Sequence, residues 1–459
     1  MFKKSWLPNL LAPAVAIGMA STACEKNQAE EKPTIEVLNQ EEKKELIFTE
    51  EQKTVSLRMV QFMNELHGQD PARRFVEADK LNSIGIYRVI VDGEAELYTT
   101  TFYGLVERLY KKMEAENING RELLERVEFK HFRSFLRLLV NYQQLENFLK
   151  TMTEKESSEI VERAVNEIPM AQDKVMEGAL IAEMYGDCKN EELRKVISSL
   201  VKRSYEDAQK NNNLETQKIF GVLAGVIGNG MGEADPWFKK MSETYLDTEV
   251  ARFDSKRFFT DGKDVQRYYF SNDETGKGSF ASFLHQYKTN VNWELIRTQN
   301  YILIKSKKKG SVVEIYANLP EKSAEADEEL NTLFRLNKIE PHIIIHRGHS
   351  YDVPKSLRGM SSNTSLVFLG SCGGYVNINT ISRLSPAAEI IVTRGEGAKG
   401  INDALLFRIN TELSRGAALD WEKIWVAARK MANDPRFDAY VRPDLNRTML
   451  FIHSMRLQK

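Results

Sequence analysis

The spacing of apolar residues changes character near residue 262, and that change constrains the fold more than any other feature of the chain. Before it, apolar residues recur every three or four positions. Phe102, Leu105, Val106, Leu109, Tyr110 and Met113 form one stripe. Phe132, Phe135, Leu136, Leu139, Tyr142 and Leu145 form a second, and Leu193, Val196, Ile197, Leu200 and Val201 a third. Such spacing puts a stripe on one face of a helix. Each is read as a core face, and no fixed repeat period emerges, so residues 56–260 are expected to be an all-α region rather than a named solenoid.

After the change, short apolar runs alternate with amphipathic stretches. Val265–Phe270 predicts a strand and Ser279–Tyr287 a helix. Tyr301–Lys305 and Val312–Ala317 predict a hairpin around Lys308-Lys309-Gly310. Glu325–Leu336, Ile401–Leu413 and Trp421–Met431 predict helices. His342–Ile345, Leu366–Leu369 and Glu389–Thr393 are the continuous apolar runs that suit parallel strands buried on both faces. The expected fold class is therefore α + α/β. An N-terminal all-α region precedes a three-layer α/β domain with a mainly parallel sheet over 262–459.

The first residues do not belong to that scheme. Lys3 and Lys4 precede an apolar stretch, Leu7 to Ala20, interrupted by Pro8, Asn9 and Pro13. At roughly 14 residues it falls short of the about 20 that a membrane span needs. Residues 1–23 read as an export signal, excluded from fold reasoning. Small residues lead into Cys24, an arrangement similar to the lipobox of bacterial lipoproteins. That resemblance implies acylation of Cys24 and an exported protein, lipid-anchored in the bilayer at the periplasmic face or cell surface of a bacterium. Residues 24–55, rich in Glu, Lys, Gln and Asn, read as a flexible tether.

Composition matters in two places. A net charge of -1 gives no basic excess of the kind that nucleic-acid binding needs, so no nucleic-acid partner is expected. Three cysteines in 459 residues, Cys24, Cys188 and Cys372, are too few for a disulfide framework in an exported protein. That leaves room for a functional thiol.

Two predicted strand ends carry that chemistry. One reads Ile343-Ile344-Ile345-His346-Arg347-Gly348-His349-Ser350, the other Leu366-Val367-Phe368-Leu369-Gly370-Ser371-Cys372-Gly373-Gly374. In an open parallel sheet, polar residues just past each strand converge on one crevice. A cysteine nucleophile needs a base there, because the thiolate attacks and a free thiol has a pKa near 8.5. The glycines let the chain turn tightly and leave backbone N–H groups available to an oxyanion.

These residues carry a resemblance. Clan CD cysteine peptidases (caspases, gingipains, legumains and separases) show an apolar strand ending near His-Gly, then a second ending in a small residue and the catalytic cysteine. Self-associating CHAT domains share the pattern. The caspase signature Gln-Ala-Cys-[Arg/Gln/Gly]-Gly is matched at Cys372-Gly373-Gly374, with Ser371 as the small residue. The resemblance covers roughly 262–459. It implies a caspase-like domain and a cysteine endopeptidase forming a thioester acyl-enzyme with a protein or peptide substrate. Cys372 would be the nucleophile, and no cofactor is needed. Gly348-His349 is similar to the Gly-His of separases and lies at the crevice, so His349 is favoured as base over His346. The backbone N–H groups of Cys372 and Ser350 are the candidate oxyanion donors. In the family the loop after the third strand helps form the substrate pocket. By that analogy Glu396 and Asp403 would attract a basic side chain and Arg394 an acidic one.

His342, His346 and His349 would share a face only on a helix, and the surrounding isoleucines favour a strand, so no metal site is expected. Gly395-Glu396-Gly397-Ala398-Lys399-Gly400 spells a dinucleotide fingerprint, with Asp420 about 20 residues on, but the required second strand is missing. Gly276-Lys277-Gly278 is an incomplete phosphate loop. The same α/β domain can serve as an inactive scaffold whose helical region binds partners, and an acyl-enzyme resolved by an amine would make a transpeptidase.

Overall fold

The computed structural model describes residues 49–229, 235–246, 255–308 and 311–457. The expected signal, nearly all of the tether, Cys24, and Lys309-Gly310 of the hairpin turn lie outside the described residues.

The three stripes fold as helices Thr99–Ala115, Phe132–Asn141 and Glu191–Lys210. The second stops short of its expected end. Gln143 adopts a positive φ of 56°, which ends the helix, and Leu145 opens a separate short helix, Leu145–Leu149.

Beyond residue 262 lies one mixed sheet. Its strands are β1 (Lys263–Phe270), β2 (Trp293–Arg297), β3 (Tyr301–Ser306), β4 (Val312–Asn318), β5 (Ile343–Arg347), β6 (Leu366–Leu369), β7 (Glu389–Thr393) and β8 (Tyr440–Val441). Their order is β2-β3-β4-β1-β5-β6-β7-β8. The run β4-β1-β5-β6-β7 is parallel, while β2, β3 and β8 add antiparallel edges. Strand β2 was not anticipated: only Trp293 of its five residues is buried, so it lacks the apolar run that marks the central strands. The two-residue β8 is too short to leave a periodic signal.

Side-chain alternation along the strands divides the core in two. Leu366 and Phe368 of β6 face helices Glu274–Lys288, Lys399–Ser414 and Trp421–Ala432. Val367 and Leu369, with Ile390 and Val392 of β7, face the other way into a cluster continuous with the N-terminal helices. The last helix, Arg447–Leu457, joins them there through Met449, Phe451 and Ile452. Under β1 and β4 that face is covered separately by helix Ser323–Asn337, through Leu330 and Phe334. The hydrophobic core therefore runs across the change of texture at 262. The N-terminal helices are the layer that covers β6 and β7 on one side.

Candidate active site

Strands β5 and β6 are parallel neighbours in register from Ile343↔Leu366 to His346↔Leu369. Their following loops therefore leave the sheet at the same end, which delivers His349-Ser350 and Cys372 to one region. Past β6 the chain turns sharply at Gly373, whose φ is +60°. A side chain there would run into Thr99 Oγ1 at 2.5 Å and Tyr142 at 3.0 Å. Glycine is thus required twice, by the left-handed backbone and by the close approach of the helical region.

The cysteine turn is clamped from three sides. Gly373 N–H donates to Gly395 O at 2.9 Å, and the Thr393 hydroxyl donates to Ser371 O. Asn402 Nδ2 donates to Gly370 O at 3.0 Å and is itself held by Tyr440, whose hydroxyl donates to Asn402 Oδ1 at 2.7 Å. The loop after β7 thus lies directly on the turn after β6.

Burial pushes the Cys372 thiol above its ordinary pKa, and Glu396 adds to the rise. The N–H groups of Gly397 and of Cys372 itself, together with Arg436, work against it. The Gly397 N–H is therefore a polar group at the sulfur that no sequence motif singles out. Cys188 is also a free thiol, buried and hydrogen-bonded to Asn190 O at 3.5 Å.

The two histidines of the β5 end have different environments. His346 is buried, with Nδ1 at 2.8 Å from Ser356 Oγ and Nε2 at 2.8 Å from His349 O. Burial lowers its pKa to about 4. Both ring nitrogens are engaged, so His346 braces the loop. His349 is partly exposed, its Nε2 3.8 Å from Asp273 Oδ1 and its ring stacked on Tyr351. Asp273 caps helix Glu274–Lys288 by accepting from Gly276 N at 2.8 Å. Burial would raise the Asp273 carboxyl, but Gly276 N–H, Ser271 and His349 together hold it below the usual range. No motif in the sequence singles out Asp273. His342, at the opposite end of β5, spends its ring nitrogens near Thr260 Oγ1 (2.8 Å) and Val265 N (3.3 Å).

Cys372 and Ser350 line a common cavity of about 670 Å³. Its opposite wall comes from the helical region and includes Glu65, Glu96 and Tyr98.

The expected specificity residues divide. Glu396 is exposed and bears on the Cys372 thiol. Asp403 is not a pocket wall: it is buried, paired with Arg347 Nη2 at 2.7 Å and hydrogen-bonded by Ser282. Arg394 is likewise internal, clamped between Glu183 and Asp187 and lying over the Tyr375 ring at 4.2 Å. Asp420 caps helix Trp421–Ala432 by accepting from Lys423 N, which accounts for an acid at that position. Among the described residues, no three His, Cys, Asp or Glu side chains assemble into a metal-holding group, and no helix is long and apolar enough to cross a membrane.

Comparisons of this chain with protein-family models, with curated proteins and with solved structures find no match.

Proposed function

We propose that the chain is a cysteine endopeptidase whose α/β domain is of the caspase-like, clan CD type. The observation that carries this reading is the convergence of two adjacent parallel strand ends: the loop after β5 brings His349-Ser350 to the end of the sheet where the loop after β6 brings Cys372. Because burial keeps the thiol protonated, the reaction begins with proton transfer. His349 takes the proton, with Asp273 beside the imidazole to orient it. The sulfur then attacks the scissile carbonyl carbon. The carbonyl electron pair moves onto oxygen, facing the N–H groups of Cys372 and Ser350. Collapse expels the amine, which takes the proton from His349, and leaves a thioester. Water hydrolyses the thioester to the acid and restores the thiol. Every group in this sequence belongs to the chain, so it needs no cofactor. In the same reading Cys24 is acylated and tethers the enzyme to a bacterial membrane.

The burial that raises the Cys372 thiol favours a second reading, an inactive scaffold of the same architecture. Acyloxymethyl-ketone probes carrying Arg, Lys, Asp or Asn separate the two. Labelling that Cys372→Ala and His349→Ala both abolish supports the peptidase. Labelling that ignores His349, or none at all, supports the scaffold.

A further inference from the structure

We infer that the N-terminal helical region supplies the specificity wall of the Cys372 cleft, and that the substrate group it receives is a cationic side chain. The peptidase reading of Cys372 is the premise, but the charge of the cleft can be read independently of it.

The cavity beside Cys372 is closed on one side by the loops after β5 and β6 and on the other by the helical region. Two carboxylates, Glu65 and Glu96, stand in its lining, and no Lys, Arg or His does. Both are exposed, so they can meet a ligand. Between the two walls Tyr98 stacks on Tyr351, with ring centroids 5.1 Å apart. Burial raises the Tyr98 phenol, and Asp352, Glu96 and Glu65 raise it further, so three carboxylates bear on one ring at the seam. Aromatic faces beside carboxylates are what a lysine or arginine side chain binds best, through charge pairing and through the ring quadrupole. An acidic side chain would meet like charge from the lining itself, while His67 beside Tyr98 and His349 stacked on Tyr351 flank the ring pair from outside that lining.

The wall is held in place. Arg74 donates to Met63 O at 2.7 Å and to Thr101 Oγ1 at 2.6 Å. Thr101 donates to Asn64 Oδ1 at 2.6 Å, and Asn64 Nδ2 donates to Glu96 O at 2.8 Å. This chain of bonds fixes the segment carrying Glu96 and spends the Arg74 cation inside the wall. Among the described residues no Lys or Arg forms an ion pair with Glu65 or Glu96. Glu396, on the loop after β7, bears on the sulfur, whereas Glu65 and Glu96 belong to a part of the chain that the family resemblance does not cover.

The test uses charged thiol reagents, which need no catalysis. Trimethylammonium-ethyl and sulfonatoethyl methanethiosulfonate are reacted with the mature chain, and modification of Cys372 is followed by mass spectrometry. Each rate is divided by that for free cysteine. The cationic reagent is expected to be favoured about tenfold, the scale of two exposed carboxylates acting together. The Glu65→Gln/Glu96→Gln variant should lower the ratio several-fold, leaving the part that Glu396 supplies, and 1 M salt should shrink it. A ratio at or below one in the natural sequence, or one that the double variant leaves unchanged, overturns the inference. In parallel, lysine and norleucine acyloxymethyl-ketones are compared with and without His349→Ala. Labelling that is indifferent to His349 sinks the peptidase reading while the reagent ratio still decides the charge of the cleft. Labelling that needs His349 but does not favour lysine over norleucine sinks this inference and leaves the peptidase reading standing.

Discussion

Glu183, near the end of a helix in the N-terminal region, pairs in the buried interior with Arg394, the residue immediately after β7. The same carboxylate accepts from the hydroxyls of Tyr375 (2.6 Å) and Thr448 (3.0 Å). Burial opposes its charge, but Arg394, Tyr375 and Arg447 hold the carboxyl below its usual pKa. Tyr375 follows Cys372 by three residues, and Arg394 adjoins Gly395, whose carbonyl holds Gly373. One acidic side chain thus ties the helical region to both loops that frame the cysteine.

Glu183→Ala should therefore lower stability by about 3–5 kcal/mol, because it leaves the guanidinium in the interior short of a counter-charge. Replacing the pair together, Glu183→Leu with Arg394→Met, should cost clearly less than the sum of the two single changes. Urea unfolding of the four proteins measures both quantities, and strict additivity would show that the pair is not a unit.

Asp403 and Glu396 should behave oppositely despite their matching charge. Asp403→Asn strands the buried Arg347 and should cost about 3–5 kcal/mol without altering the charge preference of the cleft. Glu396→Gln is exposed and should stay within about 0.5 kcal/mol of the parent. It removes a negative charge from the neighbourhood of the thiol, so the pH profile for alkylation of Cys372 should move to lower pH. Denaturation curves and iodoacetamide rates from pH 6 to 10 decide the matter. An upward or absent shift would mean that Glu396 does not act on the sulfur.

His346 makes the fold sensitive to acid. Its pKa is about 4 in the folded chain and about 6.5 when unfolded, so between those values the unfolded chain holds a proton that the folded chain refuses. Its contribution is intact above about pH 6.5 and is lost as pH falls towards 4, by up to about 3 kcal/mol. Asp264, whose carboxyl burial raises to about 8, acts with the opposite sign, so the total slope is not diagnostic. The difference between the natural chain and His346→Asn is. The variant should lie closer in stability to the parent at pH 5 than at pH 7.5, and a constant gap would exclude the histidine.

Periodicity alone located the central strands and part of the helices, because a buried face leaves its spacing in the chain whether or not its partner is known. The strands ending before Gly348 and Gly370, and the helices Thr99–Ala115, Phe132–Asn141 and Glu191–Lys210, were legible for that reason. So was the arrival of Cys372 and His349 at one sheet end, which follows from parallel pairing of two apolar runs. An edge strand such as β2, mostly exposed, leaves no such imprint. Partners distant in sequence leave none either. Nothing local distinguishes the buried, paired Asp403 and Arg394 from the exposed Glu396, because charge is a property of the residue whereas burial belongs to the assembled fold. For the same reason nothing in the sequence singled out Asp273 as the neighbour of His349 or placed Glu65 and Glu96 opposite Cys372. Those relations exist only because the helical region closes over one face of the sheet, a packing choice made by the summed apolar surface of both regions rather than by any short segment.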